Sequence, residues 1–262
     1  MKLRNLLYAQ SGGVTSVINT TAAGVIETAR ASNEIGKVYA GKNGISGILK
    51  EELVDTSLES DTQINFLKYT PGGAFGSCRY KLKDPKEDPT QYLRLLEVFK
   101  SHNIGYFLYN GGGDSQDTTN KIASFTKKSG FPVQCIGIPK TVDNDLPFTD
   151  NCPGFGSVAK YIATSTQEAA LDVKSMADTS TKVFIMEVMG RHAGWIAASS
   201  SLAAVEKNDP PHIILLPEIR LSKTKFINKV KRTVLDNGYC VIVVSEGLRD
   251  IRGNFLSDSG RV

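Results

Sequence analysis

The sequence predicts an α/β protein built on mostly parallel sheets. Short apolar runs alternate with amphipathic stretches along nearly all of the 262 residues, the pattern expected of βαβ units. The apolar runs are continuous and do not alternate with polar residues, as in strands buried on both faces. Almost every unusual cluster of glycine and charge also follows a strand candidate directly. In parallel α/β sheets the carboxyl ends of strands are where ligands bind.

In chain order, residues 3–9 form the first strand candidate, followed by Gln10, Ser11, Gly12 and Gly13. Val17, Ile18, Ala22, Val25 and Ile26 then recur at helical spacing. Residues 38–40 are a short strand closed by Gly41. Residues 92–100 carry Leu93, Leu95, Leu96, Val98 and Phe99, which reads as a helix. The apolar run 106–109 stops at Asn110 and three glycines, and 115–128 reads as the next helix. Residues 133–138 make a strand that ends at Pro139. The alternation repeats with a long helix at 156–176, a strand at 183–188, and a helix at 193–204 opened by Arg191 and His192. A strand at 213–216 is closed by Pro217 and Glu218. Residues 223–235 form an amphipathic helix with a basic face, and 240–244 is a run of the kind buried on both sides.

The bulk numbers exclude several classes. A chain with 40% hydrophobic and 22% charged residues is an ordinary globular one. A net charge of +4 is far from that of a nucleic-acid binder. No run of 18 or more apolar residues is present to span a membrane, and the N-terminus lacks a cleavage pattern for a secretory signal. Four cysteines without a C-x-x-C pair, and only three histidines, argue against zinc and for free thiols in a reducing cytoplasm.

Five clusters carry the candidate chemistry. Ser11-Gly12-Gly13 can cradle phosphate at a helix N-terminus, or simply make a tight turn. Residues 71–79 combine three glycines with Ser77 and end at Arg79, whose fork suits phosphate; a plain solvated loop is the alternative. Gly111, Gly112 and Gly113 lead to Asp114 and Ser115, offering backbone amides to phosphate oxygens, with a simple N-cap role open to Ser115. Lys140, Thr141, Asp143 and Asp145 gather a cation, a hydroxyl and two carboxylates at a strand end. In extended chain the two carboxylates share a face; one can take a proton from a sugar hydroxyl while the other helps hold Mg²⁺. An Asx-rich turn is the plainer alternative. Finally, Met189, Gly190 and Arg191 follow the 183–188 strand, where Arg191 at a helix start can stabilise charge on a transferring phosphoryl group. His192 reads as a capping or packing residue, and Trp195, the only tryptophan, as core.

These clusters, in this order, resemble the phosphofructokinase family over nearly the whole chain. The most specific pieces are Pro-Lys-Thr-Val-Asp-Asn-Asp at 139–145, Cys-Pro-Gly-Phe-Gly-Ser at 152–157 and Met-Glu-Val-Met-Gly-Arg-His-Ala-Gly-Trp at 186–195. The resemblance implies two Rossmann-like three-layer lobes, a phosphoryl-donor lobe at 1–139 and a sugar-phosphate lobe at 140–262, the second incomplete. It implies Asp143 as the base on the sugar 1-hydroxyl, Thr141 and Lys140 beside the transferring group, and Asp145 near the metal. Met189, Gly190 and Arg191 match the fructose 6-phosphate loop, and Glu218 a sugar-hydroxyl contact. Lys182 stands where the family often has an Arg that reaches a neighbouring subunit, which implies a homo-oligomer, dimer or tetramer. Gly12, Gly13, Arg79 and Ser115 fall on the donor side, with Asp114 also a metal candidate.

Two residues bear on the donor. ATP-using members usually have Gly where Asp114 and Lys140 stand, and the pyrophosphate-using branch is similar to this chain at both places. A carboxylate repels and crowds a nucleotide's α-phosphate, while a lysine offers a point charge to compact pyrophosphate. The expected reaction is therefore phosphoryl transfer from pyrophosphate to fructose 6-phosphate, with Mg²⁺ as cofactor. ATP as donor and a non-catalytic, regulatory or inactive chain are the alternatives. Two departures stand out: Gly113 replaces an acidic residue that in many members holds Mg²⁺, and no Gly-His-x-Gln segment for the sugar 6-phosphate occurs before Val262.

Overall fold

The computed structural model describes residues 3–257. The chain divides into two units, Met1–Lys140 and Thr141–Val262.

The first unit is a five-stranded sheet with helices on both faces. Its elements run β1 (Arg4–Gln10), α1 (Ile18–Ala31), β2 (Ile35–Gly41), α2 (Gly44–Leu49), β3 (Leu53–Asp55), α3 (Asp61–Phe66), α4 (Thr90–Ser101), β4 (Ile104–Gly111), α5 (Gly113–Lys128) and β5 (Gln134–Pro139). The strand order is β3-β2-β1-β4-β5. β1 pairs in parallel with β2 and β4, β4 in parallel with β5, and only the edge strand β3 is antiparallel. Side chains of β1 alternate between two cores. Leu7 and Ala9 pack with Ile45, Leu95, Phe99 and Phe107 on one face. Leu6 and Tyr8 pack with Ala22, Ala23, Ile26 and Val38 on the other. Burial on both faces is why the strand reads as an unbroken apolar run. The chain leaves β1 toward β2 on one side and later returns to β4 on the other. The crevice at the carboxyl ends of β1 and β4 is thus the sheet's switch point, the place where such sheets bind ligands.

The second unit holds α6 (Phe155–Met176), β6 (Val183–Val188), α7 (Trp195–Ser199), β7 (Ile213–Leu215), α8 (Lys223–Asn237) and β8 (Cys240–Ser245). Its three strands are parallel in the order β6-β8-β7. Val241 and Val243 of β8 face α6 and α7, and Cys240 and Ile242 face Phe226, Val230 and Val234 of α8. Among the described residues no helix is long and apolar enough to cross a membrane, and all four cysteines are free thiols.

The sequence expectation fails at several points. The helix expected at 193–204 is one α-helical turn and a 3₁₀ turn (Ser200–Ala203), and it starts at Trp195, so Arg191 and His192 lie in the loop before it. Trp195 is not core: its side chain is 56% exposed, because the first residue of α7 points away from the sheet that Ile196 and Ala197 cover. Asp143 and Asp145 do not lie in extended chain, because Asn144 between them is left-handed, at φ 57°. Ser115 is not the cap of α5; that position belongs to Gly112.

Candidate active site

At the switch point of the first unit, the loop after β1 is tied to its neighbours by backbone bonds. Ser11 N–H donates to Asn110 O (2.9 Å) and Gly12 N–H to Cys78 O (2.9 Å). The Ser77 hydroxyl donates to Gly12 O at 2.6 Å, so the loop that ends in Arg79 is stitched to the one that follows β1. Gly12 needs its positive φ of 76° to make this turn. The hydroxyls of Ser11 and Ser115 are hydrogen-bonded to each other, which joins the start of α5 to the end of β1.

Lys140 closes the arrangement from the end of β5. Its N–H donates to Gly111 O at 3.1 Å, and its ammonium donates to Gly13 O. The result is a cavity of about 330 Å³ lined by Ser11, Gly12, Arg79, Lys81, Asp114, Ser115 and Lys140. Three cationic side chains face one carboxylate there, a local balance of 3 − 1 = +2. Asp114 is paired with Lys81 at 3.3 Å, and both are exposed. The N-terminus of the sixteen-residue helix α5 opens beside the cavity, adding its positive dipole end. The cavity is net cationic, and Gly12, Arg79, Asp114 and Ser115, all predicted for the donor side, line it, while Gly13 lies beside Arg79. Lys140, expected in the second lobe, belongs to the first unit. Lys81 was missed; its only signal was proximity to Arg79.

In the second unit, Thr141, Asp143 and Asp145 form one hydrogen-bonded turn. The Thr141 hydroxyl donates to Asp145 Oδ1 at 3.0 Å and accepts from Asp143 N–H at 3.1 Å. Asn144 fastens the loop: its Nδ2 donates to Asp150 O (3.1 Å) and its Oδ1 accepts from Cys152 N–H (2.8 Å). Asp143 is half-buried and Asp145 exposed. Asp145 lies on a second cavity of about 610 Å³ lined also by Asn144, Phe155 and Trp195.

The loop after β6 is braced by carboxylates and by the end of β8. Gly190, at φ 118°, donates its N–H to Glu246 Oε1 at 3.3 Å, and its carbonyl accepts from the Ser245 hydroxyl. Glu218 accepts from Gly194 N–H at 2.8 Å. Met189 is exposed, and the Arg191 guanidinium lies over the ring of Phe255, 4.6 Å from its centroid. His192 packs edge-on against the same ring. Lys182, before β6, is exposed and donates to Ala177 O at 2.6 Å. Sequence reasoning missed Ser245, Glu246 and Phe255. The first two follow the apolar run of β8 and were open to the strand-end rule; Phe255 carries no local signal.

The architecture is that of an α/β protein with a cationic cavity at the carboxyl ends of its first sheet's strands. The chain belongs to the phosphofructokinase family, whose model matches residues 5–260. It is 60% identical over 261 residues to a Halomonas elongata protein named pyrophosphate–fructose 6-phosphate 1-phosphotransferase, covering 99% of this chain and 62% of that one. A crystal structure of a pyrophosphate-dependent phosphofructokinase from Marinobacter aquaeolei matches with a TM-score of 0.87 at 64% identity, over 95% of this chain and 62% of that one. A second, from Nitrosospira multiformis, matches with a TM-score of 0.88 at 58% identity, over 96% and 62%. The chain therefore spans about 62% of the length of the relatives it matches.

Proposed function

We propose that this chain carries the donor site and much of the sugar site of an enzyme that moves a phosphoryl group from pyrophosphate to the 1-hydroxyl of fructose 6-phosphate. The product is fructose 1,6-bisphosphate, and the transfer is reversible. The observation that carries the reading is the cradle in which Asp114 and Lys140 stand together with Arg79 and Lys81. It attracts a compact polyanion, while Asp114 disfavours a nucleotide's α-phosphate. The names of the relatives at about 60% identity support the same donor.

In this reading Lys140 and Arg79 bind and orient the pyrophosphate, with backbone amides at the start of α5. Asp143, three residues along the chain from Lys140, takes the proton of the 1-hydroxyl as it attacks. Its partial burial and the turn with Thr141 keep the carboxylate fixed. Thr141 contacts the sugar and the group in transfer; Met189, Gly190 and Glu218 bind the sugar. Arg191 supplies positive charge to the transferring group, whose stabilisation is the main catalytic task in such transfers. Lys182 faces a neighbouring copy in a homo-oligomer, dimer or tetramer. The enzyme works in glycolysis in the cytoplasm.

No group of three His, Cys, Asp or Glu side chains gathers among the described residues to cage a metal. Mg²⁺ takes one or two carboxylates and fills its octahedron with phosphate oxygens and water, and Asp114 and Asp145 each offer an exposed carboxylate on a cavity. Asp145 and Asp114 are the carboxylates that would hold it, and the ion would supply charge neutralisation of phosphate oxygens.

The test is product formation by ³¹P NMR from pyrophosphate, Mg²⁺ and fructose 6-phosphate. It is run on the 262-residue chain and on an extended chain, in which the C-terminal remainder of the Halomonas elongata relative is joined to it. Asp143→Ala in the extended chain is expected to lower turnover by about 10²–10⁴-fold, the usual contribution of a general base. Near-normal turnover in that variant would remove Asp143 from the role.

A further inference from the structure

Phe255 carries two guanidinium groups. Arg191 Cζ lies 4.6 Å and Arg249 Cζ 4.2 Å from its ring centroid. Neither arginine has a carboxylate partner among the described residues.

The ring is held in place without help from Arg191. Phe255 pairs in antiparallel fashion with Arg249 across a tight turn. The Asp250 carboxylate closes that turn by accepting from Arg252 N–H (2.8 Å) and Asn254 N–H (3.0 Å). The bonds from Asn254 hold its carboxyl below the usual range. Leu221 N–H donates to Arg249 O (2.8 Å) and Leu256 N–H to Leu248 O (3.0 Å), fastening the hairpin on both sides. The Arg191 backbone packs closely against Gly247, where a side chain would collide with the Arg191 carbonyl. What remains loose is the Arg191 side chain, which is long, rich in rotamers and exposed.

An aromatic face solves that problem in a way a carboxylate cannot. Stacking uses the face of the guanidinium and leaves its in-plane N–H donors available for bidentate contact with phosphoryl oxygens. It also leaves the positive charge uncancelled, where an ion pair would neutralise it. We propose that Phe255 is a positioning residue: it holds the Arg191 guanidinium at a fixed place with its donors and charge available to the transferring phosphoryl group. The proposal rests on the reading of Arg191 given above.

The test compares Phe255→Leu, which keeps apolar bulk but has no π face, with Phe255→Trp, which has a stronger one. In the extended chain Phe255→Leu is expected to lower kcat about two- to fivefold, with the KM for fructose 6-phosphate within about 1.5-fold. Those sizes correspond to losing an exposed cation–π contact. Phe255→Trp is expected to keep at least about half of kcat. In the 262-residue chain the Arg191 Nε–Hε NMR signal, assigned with Arg191→Lys, is expected upfield from ring shielding and to lose that shift in Phe255→Leu. Should Phe255→Leu lose its cooperative unfolding transition, Phe255→Met takes its place in both measurements.

An unchanged kcat in Phe255→Leu, or an unmoved Arg191 signal, overturns the proposal. So does an equal loss of kcat in the Leu and Trp variants, which would mark plain packing. Arg191→Ala separates the two levels. If it leaves turnover intact, the reading of Arg191 fails. If it abolishes turnover while Phe255→Leu does not lower it, only the role of Phe255 fails.

Discussion

Replacing Lys140 by Met removes one of three cationic charges from the donor cradle and keeps the apolar stem. The local balance falls from +2 to 2 − 1 = +1. Lys140 is half-buried, and both its ends are anchored, by N–H to Gly111 O and by the ammonium to Gly13 O, so its charge sits at a fixed place. A hydrogen bond to a charged group contributes about 1.5–3 kcal/mol. An unscreened pair at about 4 Å in a medium of effective dielectric about 20 would give about 4 kcal/mol. Solvent access lowers that figure toward the first range. The expected loss in pyrophosphate affinity is therefore about 10- to 150-fold. Calorimetric titration of pyrophosphate into the 262-residue chain measures it, and the salt dependence of binding should weaken as well. Lys81→Met is the internal control. Its side chain is 71% exposed and its ammonium is paired with Asp114, so the effect should be several-fold smaller. A Lys140→Met Kd within about twofold of the parent would refute the placing of pyrophosphate in this cavity.

Two further predictions follow from single side chains. Asp114→Gly removes the carboxylate of the cradle, so ATP binding should strengthen relative to pyrophosphate binding; an unchanged preference would mean that Asp114 does not exclude the nucleotide. The other concerns stability. Val241 N–H donates to His212 Nδ1 at 3.0 Å, which requires the neutral ring, and burial lowers the His212 pKa against an opposing pull from Asp209. The unfolded chain then binds the extra proton more readily than the folded one. This contribution is present above the unfolded pKa of about 6.5 and is lost as pH falls through the folded value. The urea midpoint should decline below about pH 6.5, and His212→Gln, whose amide oxygen can accept the same N–H, should flatten that decline.

Much of the fold was legible because parallel strands buried on both faces leave unbroken apolar runs, as at Leu6–Ala9 of β1 and Cys240–Val244 of β8. The short pieces were not. Gly44–Leu49, Leu53–Asp55 and Asp61–Phe66 span three to six residues each, too few for a period to show. The cationic cavity was partly legible: Ser11, Gly12, Asp114, Ser115 and Lys140 follow strand ends directly, whereas Arg79 and Lys81 lie in the irregular segment before α4. The turn at Asn144 was not, because a left-handed residue fastened through Asp150 and Cys152 depends on contacts six and eight residues away. Trp195 misled because composition favours burial of a large apolar ring, whereas its place at the start of α7 turns it toward a cavity. Phe255 was invisible for a similar reason: its contact with Arg191 crosses 64 residues of chain, 255 − 191.

The central claim is the choice of phosphoryl donor, and turnover of fructose 6-phosphate by the extended chain with each donor tests it most directly. With Mg²⁺ present, pyrophosphate is expected to support formation of fructose 1,6-bisphosphate and ATP to support little or none. Turnover with ATP and none with pyrophosphate would contradict the account built on Asp114 and Lys140.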